Sequence, residues 1–261
     1  MVSRVTHVTS RDNPLLARLR KLARRPSEYR NQGEVLLEGE HLCDAWQRAA
    51  GGLPAIALIA ESAWTGGRVP AAVHAAPSVV VVADALWAAI GSLESPASMA
   101  CLVALPPSPP LGPGEPTVIL DRLQDPGNVG SVLRSAAAFG YVQVIALRGT
   151  ALLWSPKVLR AAMGAHFGLR LVEGVDEDAL RALAVPLLAT SSHAGASLDE
   201  ADLPWPCAWV FGNEGEGVGV SLQSQCAMQV RIRQPGGEES LNVAAAAAIC
   251  LHESRRRIGR D

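Results

Sequence analysis

The stretch that decides the fold runs from Thr117 to Leu147 and reads TVILDRLQDPGNVGSVLRSAAAFGYVQVIAL. An apolar run at 117–120 leads into the turn residues Asp125-Pro126-Gly127-Asn128. A helical stretch at 128–139 then leads to a second apolar run at 142–147. We expect Asn128 to cap this helix, because asparagine is among the residues favoured at helix N-caps. The order strand, helix, strand predicts parallel strands with a helix packed on their sheet.

The same alternation continues to the end of the chain. Further strands are expected at 169–172, 186–190, 207–211 and 228–232. Further helices are expected near 156–165, 176–184, 219–226 and 240–257. This order predicts an α/β domain whose parallel sheet is covered by helices on both faces. Ligands in such domains usually bind beyond the carboxyl ends of the strands.

A proline-rich segment, LPPSPPLGPGEP at residues 105–116, precedes this domain. Neither a helix nor an interior strand can run through so many prolines, so the segment is expected to be a stiff linker. It separates a first domain, 1–104, from the second, 117–261. The first domain contains a helical stretch at 13–25 and several short apolar runs, which predict a smaller α/β domain with mostly buried strands.

Composition excludes several classes of protein. The chain has 261 residues, of which 49% are hydrophobic and 18% charged, as expected for a globular protein with a substantial core. No apolar run is long enough to cross a bilayer and no signal peptide is apparent, so a cytoplasmic protein without membrane contact is expected. The five cysteines are scattered, which predicts reduced thiols and neither a disulfide framework nor a metal site.

The net charge of −2 conceals a basic N-terminal segment. Residues 1–30 contain eight arginines and lysines but only two carboxylates, which suggests a polyanionic partner. The predicted helix 13–25 has its leucines on one side, and four basic residues on the other side are candidates for RNA binding: Arg18, Lys21, Arg24 and Arg25. A solvated helix face in an arginine-rich chain is the alternative.

A glycine-rich loop, GNEGEG at 212–217, follows the apolar strand 207–211. Glycines allow the backbone to approach a ligand closely. The chain has neither a G-x-G-x-x-G fingerprint nor a Walker lysine at this loop, and the carboxylates of Glu214 and Glu216 would repel a phosphate. An uncharged or cationic ligand is therefore favoured over a dinucleotide.

The last predicted helix has polar residues at its start, in the sequence ESLNVAAAAAI at 239–249. We expect the helix to begin near Ser240, with Ser240 as its N-cap and the alanines as a packing face. This interpretation leaves the amide of Asn242 without a role.

Together the three stretches resemble the signature motifs of the SpoU/TrmH family of RNA ribose 2′-O-methyltransferases, in the SPOUT superfamily. The first motif, N-x-G-x-x-x-R-x-A, is matched by Asn128, Gly130, Arg134 and Ala136. The second, G-N-E-G-x-G, is matched by 212–217, and the third, S-L-N-V, by 240–243. Three departures affect details of the pocket: Ala162 stands where a serine is common, Ile232-Arg233-Gln234 replaces I-P-M, and Ala244 often has a hydroxyl counterpart.

The resemblance implies a deep trefoil knot in the C-terminal domain and an N-terminal domain resembling ribosomal protein L30e. It implies S-adenosylmethionine as the cofactor, held by Gly212, Ile232 and Leu241, with Thr190, Asn213 and Gly215 as further candidates. It also implies catalytic roles for Arg134, Asn128, Glu214, Ser240 and Asn242. Because an arginine stays protonated, Arg134 is expected to bind phosphate and stabilise the developing alkoxide rather than to act as a base. A homodimer is expected, with the final helix in its interface. The run Val243–Leu251 is apolar on every face and its own sheet can cover only one side, so Ala247→Glu is expected to disrupt assembly.

Other functions stay open at this point. One is a module that binds RNA or the ribosome without catalysis. The intact polar residues of the motifs argue against it: Arg134, Glu214, Ser240 and Asn242. Another is a nucleotide-dependent oxidoreductase, for which the dinucleotide fingerprint is missing. Ribosomal RNA is favoured as the substrate because the N-terminal arrangement resembles that of ribosomal RNA methylases, and transfer RNA is the alternative.

Overall fold

A computed structural model of the chain describes residues 4–50, 52–91, 97–191, 195–236 and 240–258. The chain divides into two compact units: Met1–Pro107 with Trp154–Phe167, and Ser108–Leu153 with Gly168–Asp261. The division after Pro107 falls in the proline-rich segment. The segment Trp154–Phe167, which the sequence placed in the second domain, belongs to the first unit.

The strands are β1 (Arg4–Val8), β2 (Glu34–Glu38), β3 (Ile56–Ala60), β4 (Ser78–Val82), β5 (Met99–Ala104), β6 (Thr117–Asp121), β7 (Gln143–Leu147), β8 (Arg170–Val175), β9 (Leu187–Thr190), β10 (Ala196–Ser197), β11 (Ala208–Gly212) and β12 (Met228–Arg231). The helices are α1 (Pro14–Arg24), α2 (Glu28–Gln32), α3 (Glu40–Ala50), α4 (Glu61–Thr65), α5 (Ala71–Ala75), α6 (Asp84–Trp87), α7 (Pro126–Ala138), α8 (Pro156–Ala162), α9 (Val220–Gln225) and α10 (Val243–Arg257). Two 3₁₀ helices span Ala165–Gly168 and Glu177–Ala182.

The first unit is built on a five-stranded mixed sheet in the order β1-β4-β3-β5-β2. Strands β1, β4 and β3 are parallel, and β5 is antiparallel to β3 and to β2. Sequence reasoning missed β1, because four of its five residues are exposed and it has no apolar run. Helix α8 joins this unit because it packs against β2 and α1.

The second unit contains a seven-stranded sheet in the order β10-β12-β9-β11-β6-β7-β8. Every pairing in it is parallel, which confirms the predicted α/β parallel-sheet fold. The central strands β6, β7 and β11 are buried along their whole length. Their side chains form much of the core, with Ile119, Ile145 and Val210 fully buried. The two-residue edge strand β10 was not predicted.

Two helix starts differ from the sequence interpretation. Helix α7 is capped by Asp125, whose Oδ1 accepts a hydrogen bond from the Asn128 N–H at 2.7 Å, so Asn128 lies inside the first turn. Helix α10 begins at Val243 and is capped by Asn242 rather than by Ser240. In both places two polar residues compete for the cap, and the one that the backbone places just before the first turn takes it.

Half of the predicted linker is anchored on the second unit. Gln143 holds Gly112 with both ends of its amide, accepting from the Gly112 N–H at 2.7 Å and donating to the Gly112 carbonyl at 3.2 Å. Arg170 donates to the Pro110 carbonyl at 3.0 Å, and Leu111 packs against the hydrophobic core. From Pro110 onward the segment is therefore part of the second unit.

Within the described ranges, no helix is long and apolar enough to cross a membrane. The five cysteines are free thiols, and the residues that the structure describes contain no cluster of histidine, cysteine and carboxylate side chains that could hold a metal ion.

Candidate active site

The carboxyl ends of four neighbouring strands in the second unit form the candidate site. Strand β11 lies between β6 and β9, and β12 lies beside β9. Gly212 at the end of β11 is in register with Asp121 at the end of β6. The glycine-rich loop after β11 and the turn after β6 therefore start next to each other, although 90 residues of sequence separate Glu214 from Gln124.

The loop from Asn213 to Gly217 is a tight hairpin organised by Asn213. The Asn213 Oδ1 accepts hydrogen bonds from the N–H groups of Gly215 at 2.9 Å and Glu216 at 3.1 Å. The Gly217 N–H donates to the Asn213 carbonyl at 2.8 Å. A Cβ atom at position 212 would lie 2.1 Å from the Gly217 carbonyl carbon, so only glycine allows the loop to return so closely onto the strand end.

A cleft of about 520 Å³ opens beside this loop. All six residues assigned to the cofactor from the resemblance line it: Thr190, Gly212, Asn213, Gly215, Ile232 and Leu241. The Thr190 hydroxyl is bonded to the Val210 carbonyl at 3.1 Å, so it also ties β9 to β11. Sequence reasoning missed Val230 and Gln234, which also line the cleft. Val230 lies two residues before Ile232, and Gln234 lies two residues after it. Because alternate side chains of an extended chain lie on the same side, the assignment of Ile232 could have indicated both.

Three of the predicted catalytic residues form a directed chain of hydrogen bonds. The Asn128 Nδ2 donates to the Glu214 Oε1 at 3.2 Å, and the Asn242 Nδ2 donates to the Asn128 Oδ1 at 3.0 Å. The Asn242 Oδ1 accepts from the N–H groups of Ala244 at 2.9 Å and Ala245 at 3.3 Å. A carboxylate only accepts and helix N–H groups only donate, so each amide has one orientation that satisfies both neighbours.

The carboxylate of Glu214 is the anchor of this chain. It also accepts hydrogen bonds from the backbone N–H groups of Gln124 at 3.3 Å and Asp125 at 3.2 Å. Partial burial raises the pKa of Glu214. Hydrogen bonds from its own backbone, from Asn128 and from these two N–H groups lower the pKa, and their combined effect is larger than that of burial. The net pKa lies below the ordinary value for glutamate, so the side chain is ionised at neutral pH.

The other two predicted catalytic residues lie differently. Ser240 is exposed and lines the cleft beside Leu241. Arg134 is exposed on α7, six residues after Asn128, and does not line the cleft. Within the described ranges the structure gives the Arg134 guanidinium no hydrogen bond or ion pair. The structure thus brings Asn128, Glu214, Ser240 and Asn242 to one place and leaves Arg134 outside their hydrogen-bond chain.

Arg122, at the turn after β6, was not singled out from the sequence. Its guanidinium pairs with Asp121 at 2.9 Å and with Glu216 of the glycine-rich loop at 2.8 Å. These carboxylates raise its pKa, Asp121 contributing most. Asparagine and glycine are the residues expected at its positive φ of 58°, so the sequence carried no sign of this conformation.

The basic residues of α1 lie in the first unit. Lys21, Arg24 and Arg25 are exposed, whereas Arg18 is partly buried and pairs with Glu34 at 3.2 Å. Arg24 also donates to the Ala89 carbonyl at 3.1 Å. Because the charge of Arg18 is already paired, the other three are the better candidates for contacts with a polyanion.

Comparison with known proteins gives three kinds of match. A model described as the SpoU rRNA Methylase family matches residues 115–252. The 23S rRNA (guanosine(2553)-2′-O)-methyltransferase RlmP of Bacillus subtilis is 31% identical over 225 residues, which cover 84% of this chain and 88% of that protein. RlmB of Bordetella pertussis, a 23S rRNA guanosine 2′-O-methyltransferase, is 39% identical over 54% of this chain and 59% of its own length. The crystal structure of an AdoMet-bound rRNA methyltransferase of Sinorhizobium meliloti superimposes with a TM-score of 0.83 at 27% identity, covering 97% of this chain and 98% of that one.

Proposed function

The chain belongs to the SpoU rRNA methylase family, and we propose that it transfers a methyl group from S-adenosylmethionine to a ribose 2′-hydroxyl of ribosomal RNA. The observation that carries this proposal is the cleft at the strand ends: residues of the second and third motifs line it, and Asn128 of the first motif is hydrogen-bonded to two of them, Glu214 and Asn242. The two sequence relatives, RlmP and RlmB, are named as 23S rRNA 2′-O-methyltransferases, which favours ribosomal RNA as the substrate. Transfer RNA is the second candidate substrate. The surfaces that select the RNA lie outside the cleft, so the cleft is compatible with either class of RNA.

The cleft fits S-adenosylmethionine in size and in charge. Its volume of about 520 Å³ lies in the range of small-molecule sites, and it combines apolar walls at Val230, Ile232 and Leu241 with polar loop groups. Glu214 and Glu216 line it as well, which favours the positively charged sulfonium over an anionic ligand. When bound, the cofactor supplies an electrophilic methyl group on that sulfur. We assign its binding to Gly212, Ile232 and Leu241, together with Thr190, Asn213 and Gly215.

The residues of the chain then have distinct tasks in the reaction. Glu214 accepts a hydrogen bond from Asn128, and Asn128 accepts one from Asn242. These two bonds fix the start of α10 beside the cleft. We assign orientation of the ribose hydroxyl to Ser240 and to this hydrogen-bonded chain. Arg134 is a cationic side chain with no hydrogen-bond or ion-pair partner among the described residues. Its task is to bind the adjacent phosphate and to stabilise the developing alkoxide.

RNA capture is assigned to the exposed face of α1. Replacing Lys21, Arg24 and Arg25 together by glutamine should weaken RNA binding and flatten its salt dependence, because fewer phosphate contacts release fewer counterions. Deleting the basic segment would be a poor test, since β1 is part of the sheet and Leu16, Leu19 and Leu22 are buried. Arg48→Gln on α3 is the matched control; an equal loss there would argue for a general charge effect.

We also propose that the protein is a homodimer. Helix α10 buries Ala247, Cys250 and Leu251 in its own unit but leaves Ile249 42% exposed. Ile249 and Ala248 border a second depression, of about 580 Å³, together with Phe139. Of the apolar run Val243–Leu251, Ala245 and Ile249 are exposed, and an isologous contact with a second copy would cover Ile249. The trefoil knot and the L30e-like character of the first unit, which the motif resemblance implies, remain proposals.

Mapping 2′-O-methyl groups in RNA from a deletion strain tests the function directly. Loss of one methyl group from 23S rRNA, restored by the wild-type gene and not by an Arg134→Ala gene, is the expected result. Loss from a transfer RNA instead would select the second candidate. An unchanged methylation pattern, combined with no binding of S-adenosylhomocysteine in calorimetry, would select a module without catalysis. We place the enzyme in the cytoplasm because its proposed substrate is there.

A further inference from the structure

Arg122 has an uncommon backbone conformation at the edge of the candidate site. It follows β6 directly, and its φ of 58° lies in the left-handed region. A residue with a Cβ atom is disfavoured there, and such outliers cluster at functional sites. The conformation turns the chain so that the side chain of Arg122 lies alongside that of Asp121, its neighbour in sequence.

The side chain of Arg122 lies in a socket, which is formed by Asp121, Gly149, Thr150 and Gly219. Both carboxylate oxygens of the buried Asp121 accept from the guanidinium, at 2.9 and 3.3 Å. A Cβ atom on Gly149 would lie 3.3 Å from the Arg122 Cγ, and one on Gly219 would lie 3.4 Å from its Nη2. The Thr150 hydroxyl accepts from the Arg122 N–H at 3.1 Å. Two glycines thus leave the space for this side chain, and Asp121 fixes its direction.

From this socket Arg122 holds the glycine-rich loop at two points. Its Nη1 donates to the Glu216 Oε2 at 2.8 Å, and its carbonyl accepts from the Asn213 Nδ2 at 3.0 Å. Asn213 is the residue whose Oδ1 organises the turn, so the contact on its Nδ2 fixes the orientation of the whole amide. Arg122 itself does not line the cleft.

We propose that Arg122 is a positioning residue that presets the loop Asn213–Gly217 in the shape that binds the cofactor. Ordering a loop costs conformational entropy, and a loop that is already ordered before the ligand arrives does not add this cost to the free energy of binding. Two carboxylates already neutralise the guanidinium, which makes it a poor site for an RNA phosphate. The inference rests on the proposed function, because it assumes that the cofactor binds in this cleft.

The decisive variant is Arg122→Gly, since glycine keeps the left-handed backbone and its carbonyl while removing the guanidinium. We expect the Kd for S-adenosylhomocysteine, measured by calorimetry, to rise about tenfold, whereas the KM for RNA stays within twofold. Arg122→Lys should give a similar rise, because an ammonium cannot bridge two carboxylates as a planar fork does. Arg148→Gly is the matched control: its exposed ion pair with Asp176 is also 2.8 Å long and lies after the neighbouring strand β7, so its loss should leave the Kd unchanged.

A double-mutant cycle separates positioning from direct contact. If Glu216 acts through Arg122, Glu216→Gln should raise the Kd severalfold in the wild-type background and have little further effect beside Arg122→Gly. Additive effects overturn the inference, and so does a folded Arg122→Gly protein whose Kd stays within twofold of wild type. If Arg122→Gly fails to fold, an unchanged Kd for Glu216→Gln is the overturning result. A wild-type protein that does not bind S-adenosylhomocysteine overturns the proposed function together with this inference, whereas the other failures leave the proposed function standing.

Discussion

Asn242 caps α10 with one atom of its amide and reaches Asn128 with the other, so substitution can separate the two roles. Asn242→Ala removes both cap hydrogen bonds, of 2.9 and 3.3 Å, and also the hydrogen bond to Asn128, so it should destabilise the protein by about 2 kcal/mol. Asn242→Asp keeps an accepting oxygen at the cap, and its charge at the helix N-terminus contributes about 0.5 kcal/mol. It loses the hydrogen bond to Asn128, worth about 1 kcal/mol. The aspartate variant should therefore lie within about 1 kcal/mol of wild type.

The expected effect on catalysis is different. In Asn242→Asp a carboxylate oxygen would face the Asn128 Oδ1, and turning the Asn128 amide would only bring its oxygen against Glu214. No rearrangement of the chain satisfies all three groups. Both variants should thus lose methyl transfer by about 100-fold, the scale found when one aligned polar group is removed from an active site.

Two measurements on the same protein samples test this reasoning. Urea unfolding at pH 7 gives the stability of each variant, and transfer of labelled methyl groups to unmethylated 23S rRNA gives its activity. An aspartate variant with near-normal turnover would refute the role of the Asn242 Nδ2. An aspartate variant as unstable as the alanine variant would refute the assignment of its oxygen to the helix cap.

Four further predictions follow from individual contacts. Gly212→Ala should abolish cofactor binding in calorimetry, because its Cβ would lie 2.1 Å from the Gly217 carbonyl carbon; retained binding would contradict the close approach. Arg134→Lys should lose methyl transfer with a cofactor Kd within a few fold of wild type, and near-normal turnover would show that a planar fork is not needed. Ile249→Glu should give a folded monomer in light scattering, and a monomeric wild type at assay concentration would exclude the dimer. Hydrogen bonds from Arg256 and then Arg257 lower the pKa of Glu253 to about 2, against about 4.3 in an unfolded chain. The stability that Glu253 adds is thus complete above pH 5 and lost as the pH falls to 2, so the melting temperatures of wild type and Glu253→Gln should converge over that interval.

Much of the second unit could be predicted from the sequence because its strands are buried. Apolar runs such as 117–120 and 142–147 have one explanation in a chain that alternates strands and helices, and β6 and β7 lie within a residue of them. Exposed or very short strands carry no such signal, which is why β1 and β10 were missed. The helix caps were misassigned because Ser240 and Asn242 are equally good caps by residue type.

The choice of an interface residue on α10 shows the same limit of prediction from sequence. The sequence indicated an apolar run, Val243–Leu251, and did not indicate which side of it faces the protein's own sheet. Ala247 looked like an interface residue, yet it is fully buried within the second unit. A charge at Ala247 would damage the core, whereas one at Ile249 meets solvent or a partner.

By itself, the sequence determined the parallel-sheet fold, the three motifs and the kind of chemistry they suggest, because hydrophobic periodicity and residue type are local properties. The tertiary structure alone decided which atoms meet. Asn128, Glu214 and Asn242 are far apart in the chain, and they form one hydrogen-bonded chain only because parallel strands bring their carboxyl ends to one edge. The left-handed turn of Arg122 and its hold on the glycine-rich loop likewise depend on Asp121, Gly149 and Gly219 meeting around one side chain. Contacts between distant segments depend on the whole fold, and no local pattern encodes them.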